Sequence, residues 1–270
     1  MGMFDFLCLR MVRLSRLFSA SIVLFGLFSL ADSAFAAITF VQRNSAIPTG
    51  VQTTVTVAYL AAQTAGNLNV VVVGWGDNTS VVNSVTDTKG NLYTRAVGPT
   101  AVGGAVHSQS IYYAKNIVAA AGGNTVTVQF NAAVLYPDIR ILEYSGLDPV
   151  NPVDVTVAAT GSSKTSSSGA VTTTNANDLL VAANIVQTST TVAGAGFTSR
   201  VITSPNGDIA EDRIVTAVGS YSATATLSSA GTWVMQLVAF KAAPTGPDTT
   251  PPTAPAGLTA TTISSTYINL

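Results

Sequence analysis

Charge is what this chain has least of. Only 9% of its 270 residues are Asp, Glu, Lys or Arg, while 47% are hydrophobic, and the formal net charge is −1. Nothing here supplies the basic face that nucleic acid or an acidic bilayer would need, so neither is an expected partner. Long surface helices also require Glu, Lys and Arg, and their scarcity argues against a helical fold. Cysteine and histidine are nearly absent, with one of each, Cys8 and His107. That rules out a disulfide framework, a thiolate metal centre and a His-rich zinc site. No phosphate loop or dinucleotide fingerprint occurs, and "GAGFTSR" lies outside any βαβ unit.

The one long apolar run is at the front. Arg10, Arg13 and Arg16 precede an uncharged stretch from Leu17 to Ala31, and Ala34-Phe35-Ala36 follows. A basic start, a short apolar centre and an A-x-A site make a secretory signal peptide over residues 1–36, cut after Ala36. The run is shorter than the roughly 20 residues of a spanning helix. Cys8 precedes the run, where a lipid-anchoring cysteine would follow it. The expectation is a secreted or cell-surface protein with no thiol after processing and no membrane contact.

What fills the rest is Gly, Ala, Ser, Thr, Val and Asn in β-strand patterns. "NTVTVQF" alternates, with Val126, Val128 and Phe130 on one face and Thr125, Thr127 and Gln129 on the other. "TTVTVAY" repeats the alternation. Four other runs are apolar on both faces: "LNVVVVGW", "DIRILEY", "DLLVAANIV" and "WVMQLVAF". They read as central strands covered on two sides. Turn signals separate them, among them "TKGN", "GGN" and "SPNGD". The fold class is all-β, a two-sheet antiparallel sandwich of jelly-roll type over residues 37–243.

The chain also carries an internal echo. "IYYAKNIVAAAGGNTVTVQFNAAVLYPDIRILEY" aligns with "DRIVTAVGSYSATATLSSAGTWVMQLVAF", and "TAGNLNVVVVGW" with "TNANDLLVAANIV". The reading is two copies of a four-strand unit. "SSKTSSS" (Ser162 to Ser168) reads as a polar segment crossing the surface between them.

Beyond Ala243 the composition turns to "PTGPDTTPPTAPAG", a stiff linker over residues 244–256. "PAGLTAT" and "STYINL" then resemble the first two strands of a bacterial fibronectin type III module, so residues 257–270 are expected to begin a domain that the sequence does not complete. Residues 244–270 are expected to be loosely placed. "SVTDTKGNLYT", "IYYAKNI", "ILEYSGLDP" and "NDLLVAAN" resemble a β-sandwich region of large secreted bacterial proteins. That resemblance implies an extracellular module and brings no catalytic residues.

Candidate chemistry is sparse. His107 beside Ser108 and Ser110 lacks a nucleophile elbow and reads as an ordinary strand-edge residue. Glu143 stands out as a carboxylate within apolar "RILEY", either a buried acid or the partner of an arginine such as Arg140, Arg200 or Arg213. Asp208, Glu211 and Asp212 gather oxygens where a structural calcium, the one cofactor considered, could bind; "DTKGN" reads as a turn instead. Trp75, with Asp77 and Asn78 beside it, and Tyr136 are the candidate sugar contacts. Trp233 reads as core. The functional expectation is a monomeric, non-catalytic module for adhesion, glycan contact or spacing, its partner an extracellular glycan or cell-surface polymer. The alternative is a targeting module of a polysaccharide-degrading hydrolase.

Overall fold

The computed structural model describes residues 35–103, 107–245, 261–264 and 267–269. The expected signal peptide up to Ala34 and the connector from residue 246 onward lie outside the described residues. Every strand pairing is antiparallel, and no helix occurs among the described residues. The all-β sandwich is the architecture found.

The first half holds β1 (Thr39–Ala46), β2 (Gln52–Ala58), β3 (Leu68–Trp75), β4 (Val82–Asp87), β5 (Thr94–Val102), β6 (His107–Ala114), β7 (Thr125–Val134) and β8 (Asp138–Ser145). Its large sheet runs β1-β8-β3-β6-β5, and its small sheet runs β2-β7-β4. The second half holds β9 (Val153–Ser167), β10 (Val171–Thr172), β11 (Asp178–Val186), β12 (Thr190–Val192), β13 (Thr198–Ile202), β14 (Ile209–Val215), β15 (Ser220–Tyr221) and β16 (Thr224–Lys241). Here β9 and β16 are long enough to serve two sheets. Their paired stretch continues into β11-β14-β13, and the start of β16 also pairs β12. A short β10-β15 pair completes this half. Separately, β17 (Thr261–Ser264) and β18 (Tyr267–Asn269) form a hairpin.

The two halves are copies, and the register proves it. One row across the first large sheet reads Ser45, Arg140, Val72, Ile111, Val97. The matching row in the second reads Ala158, Gln236, Ala183, Ala210, Val201. Strand order agrees, and so do the bulges: one extra residue in β5 before Val97 and one in β13 before Val201. The repeating unit is thus eight strands, twice the four that periodicity reveals. The missing strands are half-exposed edges with weak patterns, such as β4 and β13.

Because each copy is already a sandwich, the two large sheets pack against each other as well. Along β3, Val71, Val73 and Trp75 face the small sheet with Val126, Val128 and Phe130. Leu68, Val70 and Val72 face the other copy, meeting Leu179, Val181 and Phe240. This is why β3, β8, β11 and the second part of β16 are apolar on both faces. A third apolar layer, with Leu180, Trp233, Met235 and Leu237, fills the second copy.

The serine-rich segment is not a surface crossing. Ser162 to Ser167 belong to β9 and pair with β16, and Ser166 is buried, accepting from Asn184 Nδ2 at 3.1 Å. Small hydroxyl residues fit there because β9 bends from one sheet into the other over Trp233. At Gly161 a Cβ would overlap the Trp233 indole.

Trp75 is a fully buried wedge against Phe130, edge to face at 5.8 Å. Truncation to alanine should cost about 3–5 kcal/mol of stability, as for large buried aromatics generally. Urea denaturation of Trp75→Ala against the parent measures it, and a loss below ~1 kcal/mol would mean the indole is not core.

Candidate functional site

The four sugar-contact candidates separate. Trp75 is 0% exposed, so it offers no platform, and its indole N–H has no hydrogen-bond partner. The apolar run that carries it simply continues to its end. Asp77 organises the turn after β3, its Oδ1 accepting from Thr79 N at 2.9 Å and Ser80 N at 2.6 Å. Burial opposes its ionisation, but those donors outweigh it and hold the carboxyl below its ordinary value. Asn78 is exposed on the same turn. Tyr136 is the exposed ring among the four. It is 58% exposed with a φ of 47°, a left-handed conformation uncommon for a residue with a Cβ.

Asp208, Glu211 and Asp212 point three ways and do not form one site. Glu211 and Asp212 are neighbours in β14, so their side chains leave opposite faces. Glu211 Oε2 accepts from Gly194 N at 2.8 Å. Asp212 Oδ2 accepts from Tyr144 Oη and Arg200 Nε, both at 2.7 Å, beside Phe40, whose ring lies 4.1 Å from the guanidinium. Asp208 turns toward Arg140. Among the described residues no three His, Cys, Asp or Glu side chains converge on a point that could hold a metal ion.

Glu143 is buried, yet its partners are amides. Gln42 Nε2 donates at 2.6 Å and Asn67 Nδ2 at 2.7 Å, while Arg140 and Arg200 are committed to Asp138 and Asp212. In "DTKGN", Asp87 is the turn organiser expected. It accepts from Lys89 N, Asn91 N and Nδ2, Tyr93 Oη and Asn124 Nδ2. Of Gly90 and Asn91 only the glycine takes the left-handed position, at φ 75°.

A cavity of about 270 Å³ opens where the two copies meet, at the ends of β3 and β11. The first copy contributes Gly76, His107 and Tyr136; the second contributes the end of β11 with residues 187–189 after it, and Pro205, Asn206 and Asp208. Gly76 N donates to Leu135 O at 2.8 Å, which fixes the loop presenting Tyr136. Gly207, at φ 77°, lets the 203–208 turn close onto Ser189, where a Cβ would approach to 2.6 Å. The rim is therefore an aromatic ring among amide and hydroxyl groups. Burial lowers the His107 pKa, favouring the neutral imidazole.

Behind Asp208 lies a buried charged cluster. Arg140 is fully buried; Nη1 donates to Asn184 O at 2.8 Å and Ile209 O at 2.6 Å, and Nη2 to Gln109 Oε1 at 3.2 Å. Its Nε lies 2.7 Å from Asp138 Oδ1 as an ion pair, though the N–H is not aligned for a hydrogen bond. Asp208 makes a second carboxyl beside Asp138, also accepting from Val186 N at 2.8 Å. One guanidinium faces two buried carboxyls. Burial and the Asp138 charge push Asp208 well above its ordinary pKa, against the pull of Arg140. Asp208, the member of this cluster that lines the cavity, is thus the carboxyl whose ionisation its surroundings oppose. Sequence reading assigned Gln187 no role and did not pair Asp138 with Arg140; an Asp and an Arg two apart inside "DIRILEY" were the available signal.

Asp208 is not alone. Burial pushes Asp178 and Glu211 each up to about 7, with Asp154 adding to the first and Asp212 to the second. A carboxyl whose folded pKa exceeds its unfolded value stabilises fully below the unfolded value, and that contribution is lost as pH rises through the folded one. Asp77, Asp87, Asp148 and Asp154 are lowered below 3.8 and act oppositely, losing their contribution as pH falls. Stability should therefore peak near pH ~4–5 and decline toward pH ~8. Denaturant midpoints across that range test this, and a midpoint that rises from acid to neutral contradicts it. No protein-family model, no curated protein and no solved structure matches this chain.

Proposed function

We propose that this chain is a non-catalytic extracellular module that contacts glycans through the cavity between its two copies. The observation that carries the reading is Tyr136, an exposed ring held in a left-handed turn at the mouth, with Gln187, Ser189 and Asn206 around it. A sugar offers an apolar C–H face and a rim of hydroxyls, which match an aromatic plane flanked by amides and hydroxyls. A neutral His107, and an Asp208 whose ionisation burial and Asp138 oppose, suit a neutral ligand better than an ionic one. Secretion follows from the signal-like N-terminus, and the fibronectin type III resemblance of residues 257–270 fits a modular surface protein. Catalysis is disfavoured because Glu143 is enclosed by amide donors, and Asp138 and Asp208 are tied to Arg140.

Neutral polysaccharides immobilised as a panel should retain the full chain, and Tyr136→Ala should weaken retention about tenfold, the scale of one aromatic contact. Binding that is absent from the panel, or unchanged in Tyr136→Ala, sinks the proposal. Hydrolysis of any retained polysaccharide would replace it with an enzyme.

A further inference from the structure

The polar groups lining the cavity between the copies are of two kinds. Some are committed within the protein. Thr188 Oγ1 donates to Ser229 O at 3.2 Å, Gln187 Oε1 accepts from Thr232 N at 3.2 Å, and Asp208 Oδ1 accepts from Val186 N at 2.8 Å. Others are not. The side chains of His107, Tyr136, Ser189 and Asn206 make no hydrogen bond among the described residues, although His107 and Asn206 are half-buried. An imidazole, an amide and two hydroxyls offer donors and acceptors together. They come from both copies and line one space, so a ligand rich in hydroxyls satisfies groups that the fold itself leaves open.

Both walls are pinned by backbone bonds, so the space is preformed. On one side a Cβ at Gly76 would approach Leu135 O to 2.8 Å, and the bare backbone lets the loop bearing Tyr136 lie against the end of β3. On the other, Gly207 N donates to Thr203 O and Thr190 N to Gly207 O, both at 2.8 Å, which holds Asn206 in place. The inner end is closed by Ile185, Val186 and Asp208, all buried. At about 270 Å³ the cavity falls below the ~300–1,000 Å³ of pockets that enclose a drug-sized ligand, which leaves room for one sugar ring and not for a run of them. Tyr136 supplies one aromatic plane, and no second Tyr, Trp or Phe lines the space among the described residues.

Resting on the glycan reading, we propose that the cavity recognises the end of a glycan chain: a single terminal ring enters, and the remainder leaves past Tyr136 into solvent. A ring within a chain carries linkages on two sides and needs a groove open at both. A space with a closed inner end accepts the ring that has only one. Tyr136 covers its C–H face, while His107 from the first copy and Ser189 and Asn206 from the second take its hydroxyls. The selected feature is thus the chain terminus, not the repeating interior of a polymer.

The test takes a neutral polysaccharide that retains the full chain and cuts part of it to short oligosaccharides with an endo-acting glycosidase. Cut and uncut material then compete, at equal mass, for the chain on the immobilised polymer. Chain-end recognition requires competition per unit mass to rise in step with the number of ends. His107→Ala and Asn206→Ala remove side chains that bond to nothing else in the fold, so urea midpoints should stay at the parent value. Each should weaken competition by the oligosaccharides about three- to tenfold, the scale of one neutral hydrogen bond. Competition that follows mass alone or fades as the chains shorten, or two variants that compete like the parent, overturns the inference and leaves the glycan reading standing. No retention on any polysaccharide defeats that reading and this one with it.

Discussion

A charge-poor chain that stacks sheets on both faces of other sheets has few places to put an ionic group. The structure depends on how one of them, Arg140, is buried. It sits at the centre of the face-to-face packing of the two large sheets, where the surroundings are Val, Ile, Leu and Ala. An isolated guanidinium there would cost far more than the stability of a whole domain. It is tolerated because both terminal nitrogens are hydrogen-bonded, to two backbone carbonyls of the other copy and the Gln109 amide oxygen, while the Asp138 carboxylate balances its charge. Removing any one partner strands the rest, so the site is a point of registration more than a source of stability. The carbonyls of Asn184 and Ile209 belong to β11 and β14. Arg140 therefore fixes how one copy lies on the other.

The copies obey one pattern with different volumes. Val126, Val128 and Phe130 of the first correspond to Ala223, Ala225 and Leu227 of the second, all buried. Smaller side chains line the second copy's inner layer, and there two strands are shared between the layers. In the first copy, β1 and β2 are separate strands, as are β7 and β8. In the second, β9 runs through both roles and so does β16. Gly161 marks the bend, because the Trp233 ring occupies the place a side chain would take.

How much of this the sequence revealed follows from where its signals were strong. Four runs apolar on both faces led directly to the four central strands, and the alternation of "NTVTVQF" led to β7. The echo between "ILEY" and "LVAF" identified true equivalents. Edge strands carry little pattern, and "SSKTSSS" carried a misleading one, since a serine buried between β9 and β11 looks like a serine in a loop. Trp75 misled for a related reason. The residues after it are polar, but its own position keeps the inward parity of Val71 and Val73. For Asp208, Glu211 and Asp212, closeness in sequence stood in for closeness in space, and strand alternation defeats that inference at every step.

The cavity is a consequence of imperfect duplication. Register places Gln109 of β6 opposite Gly74, and Asp208 precedes β14 at the corresponding point. The first position is sealed. β5 is nine residues long; its Thr100 accepts from Gln236, and its Val102 packs on Ile185 and Val234. The second position is open. β13 ends after five residues at Ile202, and the chain turns away through Pro205 and Asn206. Four residues of strand that one copy has and the other lacks leave Asp208 facing a void. The partner wall, Tyr136, exists for the complementary reason: β7 and β8 are joined by a loop where β16 runs straight through. A perfectly symmetric pair would close both places or neither. Divergence at two strand ends is thus enough to turn a structural repeat into a surface with one distinguished site, and it does so without disturbing the matching rows that hold Arg140 and Gln236.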